Sequence, residues 1–122
     1  MVVHRRRRGT AIVDTSSGIL VVSEVGRTYY LPGGGARRGE SRRSAATREP
    51  LEETGLRATK CSYLFEYTSY SNFHKVFLID TTGVAKPKKE IKYLTYFNGS
   101  NVNVSETTRK IIETYHEKKN SN

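Results

Sequence analysis

Cysteine is nearly absent from this chain: Cys61 stands alone among 122 residues, so no disulfide can form within it. The fold must rest on burial, and the thiol, set in the apolar and aromatic run 61–65, reads as buried and inert. A lone thiol also fits a reducing, cytoplasmic setting. Long hydrophobic runs are missing too. The longest aliphatic stretches, Ile19 to Val22 and Val76 to Ile79, fall far short of a membrane span, so no membrane association through a spanning helix is expected. The basic N-terminal region lacks the apolar segment of a signal peptide. Acidic residues are in deficit, 12 against 21 Lys and Arg, for a formal charge of +9. An anionic ligand is therefore favoured, whether nucleotide, nucleic acid or lipid surface, and charge alone does not choose among them. The length suits one domain over 1–122, as monomer or homodimer, with a basic arm at 1–8 and a frayed tail at 117–122.

What is present reads as α+β. Thr10 to Asp14 and Ile19 to Val25 are β-branched runs around Thr15-Ser-Ser-Gly18, a hairpin pattern. A loop over 32–39, rich in glycine, leads to Ser41, a good N-cap, and a helix bounded by Gly55. Two strands, 60–68 and 73–80, flank a turn at 69–72, and 91–97 alternates as a further strand. Ser105 caps a last helix carrying Ile111, Ile112 and Tyr115 on one stripe.

The first helix carries an oddity. Glu49, Glu52 and Glu53 stand at i, i+3 and i+4 and so share a face, with Pro50 among them. Like charges at this spacing cost a helix roughly 0.2–0.5 kcal/mol per pair unless a cation sits on them. A solvated acidic face paired with Arg48 is one reading; a site for a hard divalent cation such as Mg2+ is the other. The neighbouring Gly33-Gly34-Gly35 offers backbone that a ligand can approach closely, and Arg37 and Arg38 follow as anion-binding candidates.

Taken together, Gly34 to Leu56 resembles the signature of the Nudix hydrolases, G-x5-E-x7-R-E-U-x-E-E-x-G-U, where U is bulky and aliphatic. Gly34, Glu40, Arg48, Glu49, Glu52, Glu53 and Gly55 match every fixed position, and Leu56 matches the last U. Pro50 takes the place of the first U and departs from the pattern. Leu31-Pro32-Gly33-Gly34 is similar to the family's entry into this loop, and Glu90-Ile91 followed by Tyr96 to a later, less specific pattern.

The resemblance implies an α/β/α sandwich with a mixed sheet between helices, and cleavage of a diphosphate bond in a nucleoside diphosphate linked to another group. It implies Glu52 and Glu53 as Mg2+ ligands, with Mn2+ as a substitute, and Glu49 as a further ligand or the base that deprotonates water. Arg48 would orient the glutamates with Glu40 behind it, and Gly34 would bring a backbone carbonyl to the metal. Glu90 is a candidate ligand or base, or else a surface glutamate beside Lys88, Lys89 and Lys92.

Other features leave the substrate open. The run His4 to Arg8 reads as a solvated arm or as a binder of phosphate chains, an RNA 5′ end included. His74 and His116 have no partner at metal-ligand spacing and read as structural. Tyr29, Tyr30, Tyr67 or Tyr70 could stack a nucleobase. The proline expected in ADP-ribose hydrolases is missing, while Tyr70 lies near a tyrosine typical of dinucleoside polyphosphate hydrolases. A rival reading makes the chain a nucleotide- or RNA-binding module whose catalysis Pro50 has cost it. Pro50 itself leaves two outcomes, a continuous, kinked helix or a helix broken and restarted at the proline; the shared cap residues favour the first.

Overall fold

A computed structural model describes residues 4–121. The elements run β1 (Arg6–Ile12), β2 (Asp14–Thr15), β3 (Gly18–Ser23), β4 (Gly33–Gly35), α1 (Arg42–Thr54), β5 (Arg57–Thr68), β6 (Asn72–Thr82), β7 (Tyr93–Phe97) and α2 (Glu106–Asn120). A mixed sheet has the order β4-β1-β6-β5, and an antiparallel one the order β2-β3-β7.

Alternation along β1 explains the layers. Ile12 packs with Phe65, Val76 and the Ile111, Ile112 and Tyr115 stripe of α2, whereas Ala11 packs with Phe77, Ile79 and Ala46 of α1. Successive strand residues face opposite ways, so the mixed sheet lies between the two helices as the α/β/α pattern requires. The second sheet extends both layers, giving Ile19, Val21 and Phe97 to the α2 side and Leu20 to the α1 side.

The basic arm is the main correction. Arg6 to Arg8 are strand, paired in parallel with β6 from Arg6↔Asn72 onward and antiparallel with β4 through Arg8↔Gly35. Guanidiniums of the run reach backbone carbonyls around the loops: Arg5 Nε, just before β1, donates to Ser69 O at 3.0 Å and Arg8 Nη2 to Leu31 O at 3.1 Å. Residues 1–3 of that arm, and residue 122 of the tail, lie outside the described residues. The tail is not frayed as expected either, because α2 continues to Asn120. Lys118 and Lys119 suit a helix C-terminus, and Lys119 Nζ pairs with Asp14 at 3.4 Å.

Other strands shift for similar reasons. Gly33–Gly35 is not loop but β4, and the first hairpin joins β2 to β3 in the second sheet, leaving β1 to the first. The last strand begins at Tyr93 because Ile91 N–H closes a turn onto Lys88 O at 3.1 Å. Cys61 is half-buried rather than buried, and that burial pushes its thiol up. The β5 and β6 hairpin forms, and both helices carry the caps that sequence predicts at Ser41, Gly55 and Ser105.

α1 runs unbroken from Arg42 to Thr54 through Pro50, which is buried. Burial of the ring offsets the missing amide, and Thr54 Oγ1 donates to the Pro50 carbonyl at 2.7 Å. The helix sits so close to β1 that a Cβ on Gly9 would fall 2.1 Å from Arg42 O and 2.5 Å from Ala46 N. Backbone on both sides cannot yield. Gly9→Ala should therefore cost about 3 kcal/mol of unfolding free energy in urea, the upper end for overpacking. A variant as stable as the parent would refute the close approach.

Candidate active site

Gly34 decides where the first carboxylate goes. A Cβ there would stand 2.6 Å from Glu49 Cδ and 2.7 Å from its Oε2, so only bare backbone lets that carboxylate lie against β4. The other Glu49 oxygen, Oε1, accepts from Arg48 Nη1 at 2.6 Å. Arg48 is the hub: Nε and Nη2 fork onto Glu40 at 2.8 and 2.9 Å, and Nη1 also reaches Glu52 at 3.3 Å. The Arg48 bond, helped by the Arg37 N–H at 2.9 Å, holds the Glu40 carboxyl down at about 2. Burial pushes Glu52 up, but Lys89 and Arg48 outweigh it and keep the carboxyl below its ordinary value. Lys89, at 3.3 Å from Glu52, holds a left-handed φ of 54°, uncommon for a residue with a side chain.

Glu53 differs from its neighbours. It is 6% exposed, and Oε1 accepts from Gly33 N–H at 3.2 Å. Burial pushes its carboxyl up to about 7; the Gly33 amide opposes this, and the charges of Glu49 and Glu90 add to it. The Arg8 charge opposes the rise only in part, so this buried acid flanked by like charges remains short of positive charge, and the carboxylates around it offer hard oxygens. That combination fits a divalent cation of the Mg2+ class. Among the described residues, no three His, Cys, Asp or Glu side chains already stand as a compact ligand nest. Glu49 and Glu52 are turned onto Arg48 instead.

The remaining sequence candidates spread around this cluster. Arg37 pairs with Glu52 at 3.7 Å and is exposed, as is Arg38, for which no contact places it at the carboxylates. Glu90 is exposed in the turn before β7, near enough to raise both Glu53 and Tyr30. Tyr70 is 74% exposed and lines a cleft of about 240 Å³ with Tyr30, Ser69 and Thr107. Tyr29 and Tyr67 pack against the core under α2, and His116 is exposed on that helix.

Sequence reasoning offered Arg8 only as part of the basic run, read His74 as structural and did not single out Thr10, yet the three share the wall of this cleft. Arg8 Nε donates to Thr10 Oγ1 at 3.2 Å, and Thr10 Oγ1 lies 2.8 Å from His74 Nδ1. His74 is 5% exposed, and burial, with the Arg8 charge beside it, holds the imidazole down at about 4. The signal was available as alternation: extending the strand back through Arg6 and Arg8 places both on the face of Thr10.

Comparison with known proteins agrees with this geometry. A family model described as NUDIX domain matches residues 3–115. A crystal structure of a protein assigned to the Nudix hydrolase family, from Chromobacterium violaceum, is 36% identical, with 99% of this chain and 83% of that one covered and a TM-score of 0.92. A MutT NUDIX hydrolase from Burkholderia pseudomallei shares the fold at 20% identity and a TM-score of 0.73, with 90% of this chain and 97% of that one covered. A UDP-X diphosphatase does so at 22% and 0.78, covering 96% of this chain and 64% of that one. No curated protein matches the sequence. With Arg48 and its three signature glutamates gathered on one helix against a glycine strand, the chain belongs to the Nudix hydrolase family and is a pyrophosphohydrolase by class.

Proposed function

We propose that this protein hydrolyses a phosphoanhydride bond in a nucleoside diphosphate linked to another moiety, with Mg2+ as cofactor and Mn2+ as substitute. The observation that carries the reading is the buried Glu53 near Glu49, whose carboxylate lies on the bare Gly34 backbone and is held by Arg48. Glu53, Glu52, Glu49 and the Gly34 carbonyl would hold the cation. When bound, the cation supplies charge neutralisation for the diphosphate and Lewis acidity. Arg48 orients Glu49 and Glu52, and Glu40 fixes Arg48 through its forked bond. Glu49 takes the proton from the attacking water on this reading; Glu90 is the alternative acceptor. Arg37, Arg38 and Tyr70 would meet the substrate beyond the scissile bond. The lone thiol of Cys61 suits work in the cytoplasm, and no helix among the described residues is long and apolar enough to cross a membrane.

The rival binding module keeps the +9 charge and the arginine run as motives but loses the one drawn from Pro50, since α1 runs through that residue. A panel of nucleoside triphosphates, nucleotide sugars, dinucleoside polyphosphates and triphosphorylated RNA tests both readings. Mg2+-dependent release of phosphate products from one class, abolished by EDTA and restored by Mn2+, is expected. Salt-sensitive RNA binding without turnover of anything in the panel would overturn the hydrolase and favour the binder.

A further inference from the structure

Arg8 is a cation whose counter-charges, Glu53 and Glu49, act on it only from a distance and outweigh neither its burial nor its need for a bonded anion. Among the described residues it is in no ion pair, although it is partly buried. Nε is used by Thr10 Oγ1 and Nη2 by the Leu31 carbonyl, while Nη1 has no acceptor among them. The cleft onto which it opens contains no acidic side chain; its remaining polar walls are hydroxyls, an asparagine amide and His74. Glu53 and Glu49 offset only part of the burial, so a guanidinium that presents a free Nη1 to a cleft without carboxylates is suited to an anion there.

The bonds behind Arg8 have a direction. Arg8 Nε can only donate, so Thr10 Oγ1 accepts from it, and with Nδ1 of His74 unprotonated the hydroxyl gives its own proton to that nitrogen, 2.8 Å away. The imidazole then carries its proton on Nε2, facing Ser69 Oγ at 3.1 Å, and Ser69 in turn reaches Asn72 O at 3.4 Å. Strand register enforces the arrangement, because Arg8 pairs with His74 across β1 and β6. Burial and the Arg8 charge keep the imidazole neutral, since protonating both ring nitrogens would set two cations side by side.

We propose that Arg8 binds a phosphate-type anionic group of the substrate inside the cleft, and that Thr10 and His74 are positioning residues which aim its guanidinium at that group. This rests on the hydrolase reading only for the word substrate; the anion site stands on the cleft itself. A substrate with such a group on the moiety held in the cleft would be preferred over its uncharged counterpart.

The test uses the full chain in EDTA, with methyl phosphate as probe, followed by amide NMR shifts. Shifts at Thr10, His74 and Thr107 are expected, weakened at least tenfold in Arg8→Met and largely kept in Arg8→Lys. His74→Leu should weaken binding about tenfold, and His74→Asn, which returns an acceptor to Thr10, should recover most of it. Imidazole ¹⁵N shifts at pH 7 should report the Nε2–H tautomer. Shifts confined to Arg37, Arg38 and Arg48, equal binding in a folded Arg8→Met protein, or an Nδ1–H tautomer would each overturn the proposal. Because no turnover is measured, a chain that binds methyl phosphate here yet hydrolyses nothing in the panel would sink the hydrolase reading and leave this one standing.

Discussion

Glu53→Gln should abolish metal-dependent turnover while leaving the protein at least as stable as the parent. Several kcal/mol of transition-state stabilisation depend on a ligand set that loses a charge, a drop on the order of 10³-fold in kcat/KM. The amide keeps an oxygen for Gly33 N–H, so the local structure persists. Stability follows from where the acid titrates. With a folded value near 7 against an ordinary 4.5, Glu53 binds its proton more tightly in the folded state. The stabilisation is full below pH 4.5 and lost as pH rises through 7. His74 works in the opposite sense: its folded value near 4, against 6.5, gives stability that is full above 6.5 and lost as pH falls through 4. In the parent the two slopes oppose each other over their shared window. Glu53→Gln leaves only the histidine slope, so its melting temperature in EDTA should climb from pH 4.5 to 6.5 and match or exceed the parent's at pH 8. A lower value at pH 8, or retained turnover, would show that Glu53 is not the strained acid of this site.

The second large effect belongs to Arg48. Arg48→Ala strips partners from Glu40, Glu49 and Glu52 together, three carboxylates whose side chains are 12%, 21% and 26% exposed. Breaking such a network leaves like charges facing one another, and the melting temperature should fall by roughly 5–10 °C. Activity should fall as well, because Glu49 loses the bond that keeps it on Gly34. Arg48→Lys restores the charge but not the fork, and should recover stability more than turnover. The reverse pattern, activity recovered with stability still lost, would contradict the orienting role. Raising Mg2+ should rescue part of the loss in both variants, since a cation takes over some of the neutralisation.

The signature helix was legible because its information is local. Caps, carboxylate spacing and the glycine stop lie within 41–55, and each acts on neighbours a few residues away. Even Pro50 was readable in outcome, since the caps on either side belonged to one helix. The N-terminal strand was not. Charge hid its alternation, and its partner β6 begins at Asn72, a pairing no local pattern announces. The same distance concealed the Arg8, Thr10 and His74 chain, which exists only once that register is set. Three consecutive glycines looked like loop because the β1 partner that makes them a strand had itself been read as an arm from Arg8 back.

That central strand has a consequence during synthesis. β1 is interior to its sheet, yet it leaves the ribosome well before β6, and until then the edge that β6 will cover lies open. An apolar stretch such as Ala11 to Val13, waiting unpaired, is the kind of segment that sticks to other nascent chains. Arg5 to Arg8 stand directly beside it, four positive charges that repel a second copy of the same strand. The arginines that later clamp the finished loops are thus the gatekeepers of the unfinished chain, and replacing Arg5, Arg6 and Arg7 by serine should show first in soluble yield.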